Sequence, residues 1–170
     1  MIIQTPVKND AIASLRAGDI FYLSGIIATG RDKVHQRVVS EGMQCPFDFG
    51  GGAIFHAGPI VSAEYELVSI GPTSSIRMEE WAADFIGKTG VKVMIGKGGM
   101  GAKTAEACRA HGAIHCVYPG GCAVLGAMQT ERIEGVHWPE LGMAECIWVL
   151  KVREFGPLIV TIDAAGSSLL

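Results

Sequence analysis

The chain has 170 residues, of which 49% are hydrophobic and only 18% are charged, and its formal net charge is −3. This length fits one domain with enough apolar material for a core, and the negative charge argues against nucleic acid or an anionic membrane as a general partner. The low charged fraction predicts that another subunit covers part of the surface.

The first ten residues, MIIQTPVKND, lack the apolar core of a signal peptide. No apolar run approaches the roughly 20 residues that a helix needs to cross a bilayer. We therefore expect a cytoplasmic protein with no membrane contact. The cysteines are odd in number and form no CxxC pair, which predicts reduced core thiols and no metal site held by this chain alone: Cys45, Cys108, Cys116, Cys122 and Cys146.

Strand-like and helix-like patterns alternate along the chain. Apolar, β-rich runs predict strands at 20–28, 53–57, 64–70, 91–95, 114–118, 146–152 and 158–162. Helical patterns lie at 33–41, from the turn at 71–73 to residue 86, at 102–111, and from 122 to about 131. The alternation predicts an α/β domain with a mixed sheet over residues 1–163. Residues 164–170 are expected to form a frayed tail.

Two predicted strands end in glycine-rich turns that each precede a helix. Such a turn leaves unpaired N–H groups at the helix start, where the macrodipole is positive, and glycine lets the backbone approach a ligand. The turn at 71–77 adds three hydroxyls, from Thr73, Ser74 and Ser75, and the guanidinium of Arg77. Because a helix cap needs only one hydroxyl, this composition favours an anion site over a simple capped turn.

The turn at 96–101 places Lys97 and Gly98 in a G-x-G-x-x-G sequence, after a strand and before a helix. This is the local context of a dinucleotide fingerprint, so a dinucleotide-binding domain is the alternative function. The acidic residue that would contact a ribose about 20 positions later is missing. Since a lysine inside the glycine run suits a carboxylate or phosphate, we favour a seat for a small anion.

A third candidate follows the predicted strand at 20–28. Arg31 and His35 are four residues apart, so they share one side of the predicted helix start, and Asp32 is placed to cap it. A cation and an imidazole here indicate either a site or a capped helix with a solvated face, and the residues alone leave both open. The remaining histidines are expected to be structural: His56, His111, His115 and His137.

Seven segments, taken together, resemble a known family. They are, in chain order, TGRDKVH, FHAGPIV, VSIGPTSSIRM, VMIGKGGMG, YPGGCAVL, HWPELGM and EFGPLIVTID. They resemble the β subunits and C-terminal domains of the iron–sulfur hydro-lyases, the family of class I fumarases and L(+)-tartrate dehydratases. The resemblance covers nearly the whole chain and implies a swivelling β/β/α-type layered domain.

The resemblance also implies the chemistry, which is reversible elimination of water from a 2-hydroxy dicarboxylate (tartrate to oxaloacetate, or malate to fumarate). A partner α subunit would carry a 4Fe–4S cluster with one iron open to substrate. This chain would be the β subunit of a homo- or hetero-oligomer, and it would supply residues for substrate binding and proton transfer.

By motif, the resemblance implies two sets of site residues. The substrate-binding set is Arg31, Asp32, Thr73, Ser74, Arg77, Lys97 and Gly98. The catalytic set is His35, Thr73 and Lys97. Within these sets Thr73 is the candidate base, His35 is the alternative base or proton relay, and Asp32 would orient Arg31 or His35.

Overall fold

The computed structural model of the chain describes residues 1–169. Its strands are β1 (Ile2–Gln4), β2 (Ile20–Thr29), β3 (Ala53–Phe55), β4 (Ile60–Val61), β5 (Leu67–Ser69), β6 (Val93–Gly96), β7 (Ile114–Val117), β8 (Thr130–His137) and β9 (Ile147–Ile162). Its α-helices are α1 (Asn9–Ser14), α2 (Asp32–Val39), α3 (Glu79–Thr89), α4 (Ala102–His111) and α5 (Ala123–Met128). Short 3₁₀ helices lie at Ser75–Met78 and Pro139–Leu141.

Five strands close into a barrel. In parallel, β2 pairs with β3, β3 with β6, and β6 with β7. The long strand β9 completes the circuit because it runs antiparallel to both β7 and β2. Two further strands extend the sheet, since β1 pairs with β2 and β8 with β9. The domain is therefore α/β with a mixed sheet, which confirms the predicted fold class.

Side chains alternate between two buried clusters along the barrel strands, as the period of a β-strand requires. On β3, Phe55 joins one cluster and Ile54 the other. On β6, Ile95 and Met94 divide in the same way. The second cluster includes residues of α2, α3 and α4, which pack against the sheet and against each other. Each such buried side chain contributes roughly 1.5–3 kcal/mol relative to an exposed one.

The parallel strands position the candidate site. Because β2, β3 and β6 run in the same direction, their carboxyl ends lie at one edge of the sheet, where α/β proteins commonly bind ligands. The chain leaves these ends at Gly30, His56 and Lys97. The three segments singled out from the sequence therefore converge at one end of the barrel.

The segments 146–152 and 158–162 were predicted as two separate strands. In the structure they form one strand, β9, so the prediction of two strands is wrong. The first half of β9 pairs with β8, its last residues pair with β7, and β2 pairs with it from Val149 to Ile159. Glu154, with φ of 49°, lies where the register with β2 shifts. A bulge of this kind bends a strand without ending it, so residues 153–157, between the two predicted strands, belong to the same strand.

Three strands, β1, β4 and β8, were missed, and one helix was extended too far. The helix predicted from 122 to 131 ends at Met128, and β8 begins at Thr130. No apolar alternation marks β8, because it lies at the edge of the sheet and most of its side chains are partly or fully exposed. The other missed strands, β1 and β4, have only three and two residues.

The residues after 162 turn back onto the barrel. The Asp163 carboxylate accepts hydrogen bonds from the N–H groups of Ala165 and Ser167, and the Leu169 N–H donates to the Thr161 carbonyl at 2.8 Å. The frayed conformation expected for 164–169 is therefore wrong, while Leu170 lies outside the described residues. Over residues 1–169, no helix is both long enough and apolar enough to traverse a bilayer.

Candidate functional site

His56 holds the first glycine-rich turn in place. Its carbonyl accepts the Thr73 N–H at 2.7 Å, and its Nδ1 lies 2.9 Å from the Ser75 hydroxyl. Gly96 makes room for this contact, because a Cβ on that residue would lie 1.8 Å from Ser75 Oγ. The turn is thus pinned to the end of β3 through both backbone and side chain.

The two glycine-rich turns are hydrogen-bonded to each other. The Lys97 N–H donates to the Thr73 carbonyl at 3.1 Å, and the Ser75 N–H donates to the Lys97 carbonyl at 2.9 Å. Ser74 and Lys97 pair across this short parallel bridge. Lys97 is solvent-exposed, as is Gly98, whose φ of +72° favours glycine. Residues far apart in the chain are therefore neighbours at this edge.

Arg77 joins this turn to the start of α2. Its Nε and Nη2 lie 3.1 and 2.8 Å from the two carboxylate oxygens of Asp32, a bidentate pair. Its Nη1 donates to the Thr73 hydroxyl at 3.3 Å. The Arg77 side chain remains 47% exposed. The guanidinium is thus oriented by the protein while one face stays open to a ligand.

Arg31 lies between two carboxylates. Its Nε is 2.8 Å from Glu145 Oε1 and 3.4 Å from Asp32 Oδ2. The Nε atom itself is buried and makes no well-aligned hydrogen bond, so these contacts are ionic. The other oxygen of Glu145 accepts the Lys33 N–H at 3.1 Å and satisfies the start of α2.

The expected capping by Asp32 is wrong: Asp32 is the first residue of α2, and its side chain binds the arginines instead.

The predicted substrate-binding residues therefore form one cluster. Arg31, Asp32, Arg77 and Thr73 are linked by direct side-chain contacts. The other three adjoin this group through the backbone of the paired turns: Ser74, Lys97 and Gly98.

His35 lies beneath this cluster. Its side chain is fully buried, its Nδ1 lies 3.1 Å from the Arg31 carbonyl, and its ring centroid is 4.3 Å from that of Phe85. Burial lowers the pKa of His35 to about 4, against smaller opposing effects of the Arg31 carbonyl and Asp32. The imidazole is therefore neutral near pH 7 and is covered by the residues above it.

Two more buried histidines lie next to His35 and form a row with it. His35, His56 and His115 have successive ring-centroid separations of 5.2 and 6.4 Å, and all three are buried. Burial lowers the pKa of His115 to about 3. Burial, reinforced by the two neighbouring histidines, also lowers the pKa of His56 well below its usual value. His56 therefore lies in the core, as expected, and so does His115.

Glu79 was not anticipated from the sequence. Its carboxylate accepts hydrogen bonds from the Gly101 N–H at 2.8 Å, the Thr104 N–H at 3.3 Å and the Thr104 hydroxyl at 2.5 Å. The protein's own carboxylate thus accepts two of the N–H groups at the start of α4, so those two are not free as the sequence suggested. In the sequence Glu79 appears only as an acidic residue near the start of its own helix, and nothing local connects it with Gly101.

The loop at 42–52 lies away from the site. It borders a cavity of about 540 Å³ together with Val38, Lys88 and Thr89. Val38 and Thr89 belong to the last turns of α2 and α3. Because the arginine cluster lies at the opposite end of α2, this loop and the cluster occupy different ends of the same helix.

The described residues do not fit an iron–sulfur cluster. Over residues 1–169, no three His, Cys, Asp or Glu side chains are grouped so that they could hold a metal ion. Burial raises the pKa of the Cys108 thiol to about 12 and raises that of Cys116 further. Both thiols therefore stay protonated in the folded chain, as core cysteines do.

Comparison with known proteins gives consistent matches. The fumarase C-terminus family model matches residues 1–170. The chain is 51% identical over 172 residues to the L(+)-tartrate dehydratase subunit beta of Escherichia coli (strain K12), which spans 99% of this chain and 86% of that protein. It is 40% identical over 169 residues to a putative L(+)-tartrate dehydratase subunit beta of Methanocaldococcus jannaschii, spanning 95% and 86%.

A further relative is built differently. The chain is 37% identical over 171 residues to a putative fumarate hydratase class I of Geobacillus stearothermophilus, spanning 98% of this chain but only 33% of that protein. The segment that constitutes this entire chain is therefore one third of a longer polypeptide in that relative.

Proposed function

The chain belongs to the fumarase C-terminus family and is one subunit of a hydro-lyase, and we propose that its substrate is a 2-hydroxy dicarboxylate, either tartrate or malate. The observation that carries this proposal is that Arg77 contacts Thr73 directly, Arg31 joins them through Asp32, and Lys97 joins them through its backbone, all at one end of the barrel. These three cations outnumber the two carboxylates of Asp32 and Glu145, so the site has a net positive charge. Such a site suits a dianionic ligand.

We assign Arg77 to one substrate carboxylate. Asp32 occupies its Nε–Nη2 edge, and the remaining N–H groups stay available on the exposed face. Arg31 and Lys97 supply charge for the second carboxylate. Ser74 and Gly98 line the same pair of turns. An arginine fork pairs with a carboxylate bidentately, which fixes the orientation of the substrate as well as its affinity.

Thr73 is the better supported candidate for the base. Its hydroxyl lies 3.3 Å from Arg77 Nη1, and a guanidinium at that distance stabilises the anionic oxygen that proton abstraction requires. His35, the alternative, is fully buried beneath Arg31. Its contact with the Arg31 carbonyl supports a role in holding the α2 start rather than contact with substrate.

We place the family's iron–sulfur cluster on a partner α subunit. The cluster supplies the Lewis acid that activates the leaving hydroxyl, and no group of ligands for it lies within residues 1–169. The single-chain relative, which is about three times as long as the matched segment, supports a partner whose sequence is fused in some proteins and separate in others. Residues of this chain then bind the substrate, orient it and accept its proton.

The contacts of Glu79 favour this proposal over a dinucleotide site. In a dinucleotide-binding domain the pyrophosphate occupies the helix N-terminus that follows the glycine-rich turn. In this chain the Glu79 carboxylate already accepts hydrogen bonds at that position from Gly101 and Thr104. A second anion there would meet like charge.

Arg77→Ala tests the proposal in the complex with the partner subunit, assayed without oxygen on tartrate, malate and fumarate. Loss of two charged hydrogen bonds, roughly 1.5 kcal/mol each, lowers kcat/KM by about 100-fold. The matched control is Arg109→Ala, which removes an exposed arginine paired with Glu106 on the surface of α4. A wild-type complex inactive on all three compounds, or equal activity of the two variants, would overturn the proposal.

A further inference from the structure

Glu145 is a candidate for a role that the family motifs do not assign. It lies on the turn between Pro139–Leu141 and β9, far from Arg31 in sequence. The N–H groups of Glu145 and Cys146 both donate to the Gly142 carbonyl at 3.0 Å, which closes this turn. The Thr29 hydroxyl donates to the Cys146 carbonyl at 3.2 Å and accepts the Trp148 N–H at 2.9 Å. The turn is thus fastened to the end of β2, directly beside Arg31.

Each carboxylate oxygen of Glu145 has a separate partner. Oε1 lies 2.8 Å from Arg31 Nε, and Oε2 accepts the Lys33 N–H at the start of α2. The side chain is only 21% exposed, the same fraction as that of Arg31. Ion pairs with little solvent exposure are screened less than surface pairs. Glu145 therefore holds the Nε edge of Arg31 strongly.

The other edge of Arg31 lies against a glycine. A Cβ on Gly58 would lie 3.0 Å from Arg31 Nη1 and 3.1 Å from the Ala144 carbonyl oxygen. With Glu145 and Asp32 on the Nε side and Gly58 beside Nη1, the guanidinium has one orientation. The N–H groups of its terminal nitrogens that point away from Gly58 are then the part left for a ligand.

Asp32 is shared between the two arginines, which extends the influence of Glu145. It lies 3.4 Å from Arg31 Nε and binds Arg77 bidentately. Without the negative charge of Glu145, Arg31 would have Asp32 as its nearest counterion. Arg31 would then turn towards Asp32 and compete with Arg77 for it.

We propose, on the basis of the proposed function, that Glu145 is a positioning residue for substrate binding. It acts through Arg31, by directing the guanidinium towards the dicarboxylate and by leaving Asp32 to orient Arg77. Its effect depends on its charge and on the presence of Arg31.

The test is Glu145→Gln in the complex with the partner subunit. Glutamine keeps an oxygen that accepts the Lys33 N–H but removes the charge. We expect KM for the dicarboxylate to rise about 10-fold, with a smaller change in kcat, because the altered contact is with the substrate-binding arginine. Glu106→Gln is the matched control, since Glu106 pairs with an arginine on the exposed surface of α4. An unchanged KM in Glu145→Gln overturns the proposal.

A double-mutant cycle separates positioning from a structural role. The dissociation constant of succinate, a dicarboxylate without the leaving hydroxyl, is measured for the wild-type complex, Glu145→Gln, Arg31→Ala and the double variant. If Glu145 acts through Arg31, its replacement changes the constant less than about twofold once Arg31 is absent. Additive effects overturn the proposal. A wild-type complex with no activity on any substrate instead refutes the proposed function, so the two failures are distinguishable.

Discussion

The turns at 71–77 and 96–101 look alike in the sequence and differ in the structure. Both follow a strand, contain glycine and carry a cation. In the first, the Thr73 hydroxyl faces Arg77 on a partly exposed surface. In the second, the helix N-terminus is filled by Glu79. Glycine content therefore shows where the backbone turns tightly, whereas carboxylates from elsewhere in the chain decide whether the N–H groups at the helix start are available to a ligand.

This comparison predicts that the Thr73 hydroxyl of the first turn serves the reaction, whereas the α4 N-terminus in the second turn serves stability and leaves only Lys97 and Gly98 of that turn to the substrate. The largest effect should come from Thr73→Val, which keeps the shape of the side chain and removes the hydroxyl. If Thr73 is the base, kcat of the complex falls by roughly 10²- to 10⁴-fold. Thr89→Val is the control, because the Thr89 hydroxyl bonds only within and just after α3. If the Thr73→Val enzyme has a normal kcat, this turn does not supply the base.

The histidines beneath the first turn predict a loss of stability in mild acid. Burial lowers the pKa values of His35, His56 and His115 in the folded chain, so below about pH 6.5 the unfolded chain binds more protons. Stability is complete above that pH and falls as the pH decreases, by about 1.4 kcal/mol for each histidine at pH 5.5.

Urea unfolding of the chain between pH 7.5 and 5.5 measures this effect. For three histidines the free energy of unfolding should fall by roughly 4 kcal/mol over that range. If the free energy of unfolding stays constant between pH 7.5 and 5.5, the three histidines are not held neutral by burial. That result would also contradict their role in supporting the turn at 71–77.

A smaller effect is expected in the second turn, where Glu79→Ala leaves the Gly101 N–H and the Thr104 hydroxyl without their acceptor. Loss of a helix-capping carboxylate should cost about 1–3 kcal/mol of unfolding free energy. Glu80→Ala, at the exposed neighbouring position, serves as the control in the same urea titration. Equal midpoints for the two variants would show that the turn at 96–101 does not depend on this cap.

Much of the fold and of the site was accessible from the sequence, since both depend on local patterns. Apolar runs marked β2, β3, β6 and β7, and the turns after strands marked Arg31, Thr73, Arg77 and Lys97. The strand β8 was not predicted because an edge strand with charged side chains carries no apolar signal. Its charged side chains take part in the pairs Arg132–Glu134 and Arg153–Glu131.

The parts that could not be predicted are long-range. Glu145 meets Arg31, and Glu79 meets Gly101, only because the fold brings their elements together. Each was an ordinary acidic residue in its own segment. The same holds for Asp32, whose position at a helix start suggested a cap, although two arginines compete for it in three dimensions.

The pairing of β2 with β9 also has a consequence for synthesis of the protein. These strands join Ile20 to Ile159 and Ala28 to Val149, so nearly the whole polypeptide separates the two partners. A nascent chain cannot complete its barrel until the last strand has left the ribosome, and contacts this distant in sequence slow folding. Until then one edge of β2 lacks its partner, and a chain truncated before β9 would remain open to pairing with other molecules.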